Sequence, residues 1–144
     1  MNIIDALYGS QYYELKNKGY DVQKGRFYGN LLFTAIILIY LFVTIIILNF
    51  ISEDILDDLL KPLRKIVGRS MGKAMSQIVA IPLILVIYFI VALLFGSKKR
   101  YEKSFQKYSE ASEEKRKKVS ENMIGVFIIG LLLLVVLAIT SLFL

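Results

Sequence analysis

LLFTAIILIYLFVTIIILNFI, residues 31–51, is the stretch that decides the fold. As a helix rising 1.5 Å per residue it is about 31 Å long, close to the hydrocarbon thickness of a bilayer. Two more runs resemble it: IVAIPLILVIYFIVALLF at Ile78–Phe95 and MIGVFIIGLLLLVVLAITSLFL at Met123–Leu144. None of the three contains Asp, Glu, Lys or Arg, and the chain of 144 residues has no His. The polar segments between them are too short to cover that much apolar surface, so buried helices of a water-soluble core are a poor reading. The runs do not alternate apolar with polar residues, as barrel strands do. A helix also satisfies its own backbone in lipid, which offsets the weak helix propensity of runs such as Ile45-Ile46-Ile47.

These observations predict an all-α integral membrane protein with three transmembrane helices. An N-terminal amphipathic helix precedes them, and a charged helical hairpin separates the second from the third. The whole of 1–144 is read as a single membrane domain. It comprises an interfacial segment (1–30), a first span (31–51), an outer amphipathic loop (52–77), a second span (78–95), a basic cytoplasmic hairpin (96–122) and a third span (123–144). About thirty polar residues precede the first run and no A-x-A-like site follows it, so it does not read as a cleavable signal peptide. The chain has no Cys, hence no disulfide and no thiolate chemistry.

Charge sets the expected orientation. Four cations precede the first span (Lys16, Lys18, Lys24, Arg26), and nine lie in 96–122 (Lys98, Lys99, Arg100, Lys103, Lys107, Lys115, Arg116, Lys117, Lys118). The loop at 52–77 holds five, Lys61, Arg64, Lys65, Arg69 and Lys73, and none follows Met123. By the positive-inside bias the N-terminus and 96–122 face the cytoplasm, and Leu144 lies outside.

Residues 3–17 repeat Ile4, Leu7, Tyr8, Tyr12 and Leu15 at helical spacing, with Gly19 as a stop. Tyr13, Tyr20, Phe27 and Tyr28 follow, and the segment reads as an interfacial anchor ahead of a docking helix. Asp5, Glu14 and Asp21 offset its few cations, which argues against nucleic-acid binding. The loop opens Ser52-Glu53-Asp54, a capped start, and continues with the apolar stripe Ile55, Leu56, Leu59, Leu60, Leu63, Ile66 and Val67, divided at Pro62. Glu53, Asp54, Asp57 and Asp58 form a dense carboxylate group, read as a helix start neutralised by Lys61, Arg64 and Lys65 rather than as a metal site.

Gly68, Gly72, Ser76 and Ala80 recur every four residues and form the candidate helix–helix interface. Pro82 predicts a kink one turn into the second span. In 96–122, Tyr101, Phe105 and Tyr108 share a helical face and are a candidate partner face. Lys98, Lys99, Arg100, Lys115, Arg116, Lys117 and Lys118 are a candidate surface for anionic lipids, each cation near the membrane contributing about 1 kcal/mol. Ser112-Glu113-Glu114 caps a second helix, with Glu113–Lys117 and Glu114–Lys118 at supporting spacing.

The spans hold few polar residues: Thr34, Tyr40, Thr44, Asn49, Tyr88, Thr140 and Ser141. Ionisable groups at depth, which mark pumps and coupled transporters, are missing. So are the His and Cys of most nucleophilic or zinc chemistry. Gly25–Gly29 lacks the strand context and spacing of a phosphate loop. The expected function is therefore that of a non-enzymatic accessory, scaffold or immunity-type partner of another membrane protein or of itself, with no cofactor. An oligomeric pore or small transporter component, and a membrane-remodelling protein, are the alternatives. Single cysteines placed at Ser70 and Ser112 are expected to label from opposite sides of intact cells, Ser70 from outside; external labelling of Ser112 would invert the orientation.

Overall fold

The computed structural model describes the backbone of residues 1–52, 58, 61 and 72–143, and the side chains of those residues other than 49, 72–80 and 141–143. Five helices are present among the described residues, and no strand: α1 (Ile3–Asn17), α2 (Lys24–Ile51), α3 (Gly72–Leu94), α4 (Lys98–Glu110) and α5 (Glu113–Phe143).

α1 has well-defined ends. Asn2 and Asp5 form a reciprocal capping box, each side chain accepting from the other's backbone N–H at 2.8 and 3.0 Å. At the other end Gly19 adopts φ +70°. The Tyr20 N–H donates to the Leu15 carbonyl and the Gly19 N–H to the Lys16 carbonyl, closing the helix as a Schellman turn. Only a residue tolerant of left-handed backbone suits that place, so the sequence itself stops α1 there.

α2 begins earlier than its apolar run, at Lys24, where Asp21 accepts from the Gln23 N–H at 2.9 Å. It ends when Ser52 turns extended. The segments Lys24–Leu48 of α2 and Glu113–Thr140 of α5 are each long and apolar enough to cross a membrane; a third candidate appears when the bent pair α3–α4 is counted as one. α3 continues through Pro82 and contains most of the second apolar run.

The expected hairpin is corrected in two ways. First, α4 is not a straight extension of the second span: Ile81–Leu94 and Lys98–Glu110 are bent by 67°. The helix breaks where the Phe95 and Gly96 N–H groups both donate to the Val91 carbonyl, and Ser97 restarts it by accepting from the Arg100 N–H at 3.4 Å. Gly96 is buried against the Asn30 side chain, which occupies the place a Cβ would need. Secondly, α4 packs chiefly on α1, not on the charged turns of α5. α1 in turn contacts α2 and α5, so it lies among the helix ends.

The core follows this arrangement. Of the six buried apolar residues among those described, Ala6, Leu7, Tyr8 and Tyr101 belong to α1 and α4, while Val43 and Val91 lie in the apolar runs. The spans instead expose large side chains such as Phe42, Phe89, Leu93, Leu132 and Val136, as lipid-facing helices do. Within them the Tyr40 hydroxyl donates to the Val126 carbonyl at 2.8 Å, joining α2 to α5 beside Gly130, where Ile39 and Tyr40 approach closely.

Glycine seats carry the close approaches. A Cβ at Gly29 would overlap the Tyr8 ring, whereas one at Gly125 would meet open space. Gly29→Ala is expected to lower stability by about 1–3 kcal/mol, through displacement of a buried ring. Gly125→Ala is expected to cost nothing. Thermal unfolding of both variants in the same detergent provides the comparison.

Candidate functional site

The site is the plate formed by α1 and α4 across the ends of the apolar runs. Its centre is aromatic because both helices carry rings one turn apart: Tyr8 and Tyr12 on α1, Tyr101 and Phe105 on α4. Tyr12 stacks on Phe105 with centroids 4.1 Å apart and planes 9° apart. Tyr101 lies edge-on to Tyr8 (6.0 Å), Tyr12 (6.3 Å) and Phe105 (5.7 Å). Each such pair contributes about 0.5–1.5 kcal/mol beyond area burial. The outer pair Tyr13–Tyr108 continues the row at 5.7 Å, and Gly9 leaves room for Tyr108.

Polar atoms inside this packing are bonded in pairs that cross between helices. The Tyr8 hydroxyl donates to Asn30 Oδ1 at 2.7 Å, fixing α1 to the start of α2. The Tyr101 hydroxyl, seated over Gly25, donates to the Val22 carbonyl at 2.7 Å, fixing α4 to the α1–α2 connection. The Ser104 hydroxyl donates to Asp5 Oδ1 at 3.0 Å. Asp5 Oδ2 already accepts from the Asn2 N–H and has Lys107 Nζ at 3.6 Å. A carboxylate buried to this degree is tolerable because its oxygens have both donors and a cation.

Burial alters two of the phenols. The Tyr101 hydroxyl is pushed up from the ordinary 10.0 to about 12, chiefly by desolvation and then by the neighbouring Tyr12. Tyr8 is pushed up further, again mainly by desolvation and secondarily by Tyr88.

The sequence-derived sites fall out as follows. Tyr101, Phe105 and Tyr108 do share a face, and α1 of the same chain covers it; Tyr101 has no exposed surface. Lys98, Lys99, Arg100, Lys115, Lys117 and Lys118 are exposed, while Arg116 is half-buried with its guanidinium 5.7 Å from the Tyr108 ring. Gly68 lies outside the described residues, and so do the side chains of Ser76 and Ala80; Gly72, Ser76 and Ala80 occupy helical backbone in α3. Glu53, Asp54 and Asp57 are likewise outside, and Asp58 pairs with Lys61 at 2.5 Å. Among the described residues no cluster of three metal-ligating side chains is present.

Sequence reading missed Asp5, Asn30 and Ser104 as the polar fastenings of the plate. It also missed Gly25 and Gly29 as ring seats. Their spacing of four on a helix, like that of Gly68 and Gly72, was the available signal.

Known protein families, characterised proteins and solved structures were compared with the chain, and none matches.

The alkaline limb of stability should report the buried phenols. Their folded pKa values exceed the unfolded one. Their contribution is thus complete below pH 10 and falls as pH rises from about 10 through 12 and beyond, because the unfolded chain releases protons that the folded chain retains. Tyrosinate absorbance is expected to show late-ionising phenols that diminish in Tyr101→Phe. At neutral pH that variant should also lose about 1 kcal/mol, from the bond to the Val22 carbonyl. Early ionisation of all the tyrosines in the folded protein would contradict the burial.

Proposed function

We propose that this chain is a small multi-pass membrane protein of non-enzymatic role, an accessory or scaffold that holds a basic plate against one face of the bilayer. α2, α3 and α5 are its three crossings, with the N-terminus and the α1–α4 plate cytoplasmic and the C-terminal end outside. The observation that carries the reading is the contact of α1 with α4. These helices are separated in sequence by α2 and α3, and they meet at the ends of the apolar runs. A chain that leaves along α2 and returns along α3 brings them to the same side. The 23 residues of α3 have a helical reach of about 34 Å, sufficient for the return.

The plate is preassembled, with its rings turned inward and Lys98, Lys99 and Arg100 turned out. Exposed cations beside the membrane favour anionic lipid. Association with another membrane protein, or with a second copy, is assigned to the small-residue row Gly68, Gly72, Ser76 and Ala80, which permits close helix approach.

The pore and small-transporter readings have less support. The Thr34 hydroxyl donates to the Asn30 carbonyl and that of Thr44 to the Tyr40 carbonyl, both at 2.8 Å, so each serves its own helix. A membrane-remodelling role would draw on the amphipathic segments and the basic 96–122 region, and of these the apolar face of α1 is engaged by α2, α4 and α5. Gly72→Leu is expected to reduce the size of the complex recovered in mild detergent while leaving the monomer folded. An unchanged assembly would remove the small-residue row from the account.

A further inference from the structure

Below Tyr108, on the outer side of the plate, is a cleft of about 390 Å³ bordered by Tyr108, Glu113, Arg116, Lys117 and Ser120. Arg116 Nε and Ser120 Oγ are buried there with no hydrogen-bond partner in the protein. Buried donors are nearly always paired, so two unpaired ones on successive turns call for an acceptor. The guanidinium is oriented by the Tyr108 ring, and Lys117 adds a second cation. Glu113 brings a carboxylate to the rim, leaving the cleft one net positive charge, suited to a single negative charge.

The depth of the cleft names the acceptor. Ser120 precedes the apolar run at Met123 by three residues and Arg116 by seven, about 5 and 10 Å along the helix. That is the level of lipid headgroups. Continuing down the same stripe of α5, Met123, Ile124 and Phe127 line an apolar hollow of about 110 Å³, closed by Leu7, Leu32 and Ile36. Donors for an anion stand above a wholly apolar groove on one helix face.

We infer that Arg116 and Ser120 bind the phosphodiester of an anionic glycerophospholipid, whose acyl chain enters the hollow beside Ile124. The inference rests on the membrane reading above and deepens it, from a diffuse basic surface to one seat. Free phosphate shares the headgroup chemistry but has no use for the groove.

The test is native mass spectrometry of the full chain released from nanodiscs containing phosphatidylglycerol and phosphatidylcholine. Wild type is expected to retain one phosphatidylglycerol. Arg116→Lys keeps the charge but loses the buried Nε–H; it and Ser120→Ala should each reduce retention about fivefold to tenfold, while Lys18→Gln, at an exposed cation paired with Glu14 and away from the cleft, leaves it unchanged. Ile124→Trp, which fills the hollow, should reduce retention likewise, and excess inorganic phosphate should not displace the lipid. Equal loss in Lys18→Gln, full retention in Arg116→Lys, equal retention of phosphatidylcholine, or displacement by inorganic phosphate would overturn the seat. None of these outcomes alters cysteine labelling at Ser112 or the assembly of Gly72→Leu, so failure of the seat is distinguishable from failure of the membrane reading.

Discussion

The stacking of α1 on α4 is the contact on which the rest of the arrangement depends. Tyr12 against Phe105 and Tyr101 against Tyr8 bury rings that would otherwise lie at a wet boundary. Around them Asp5, Asn30, Ser104 and the Val22 carbonyl receive or give bonds that cross between helices. Apolar helices in lipid gain little from hiding apolar surface from each other, since the lipid is equally apolar. Tertiary specificity must come from elsewhere. In this chain it is concentrated at the end of the bundle, where water makes burial of aromatic surface favourable.

Glycine placement makes that concentration possible. Gly9, Gly25, Gly29 and Gly96 each abut a ring or amide of another element: Tyr108, Tyr101, Tyr8 and Asn30 respectively. Gly96 does more, since the same residue that admits Asn30 lies in the break that turns α4 by 67° away from α3. Were α3 to continue straight, its charged continuation would leave the Tyr12 face of α1 without Phe105 and Tyr101 to pack on. The bend and the plate are thus one feature.

The long apolar helices α2 and α5 were legible in the sequence because length and lack of charge are sufficient to recognise them, whatever they pack on. α1 was legible as a helix from the spacing of Ile4, Leu7, Tyr8, Tyr12 and Leu15 and from Gly19 as its stop, while the Asn2–Asp5 capping box at its start was not read. Its docking was not legible. The pattern Ile4, Leu7, Tyr8, Tyr12 and Leu15 buries equally well in a bilayer surface or in a protein groove, and period alone does not distinguish them. The Tyr101/Phe105/Tyr108 face was read from the same periodicity and posed the complementary question. Two amphipathic helices on the same side, each with an unpartnered aromatic face, were one another's answer. Asn30 was overlooked because it stands where a span begins, a place in which a polar residue needs no explanation. On α5, Arg116 was grouped with its exposed neighbours because a run of cations conceals which one faces inward.

The central claim, that α1 rests on α4 within the membrane-embedded protein, is most directly tested by placing a benzophenone side chain at Tyr12 in the full chain in native membranes. Photolysis is expected to join it to a peptide within Lys98–Glu110, the helix that carries Phe105. Attachment to lipid alone, with no crosslink to that helix, would contradict the account.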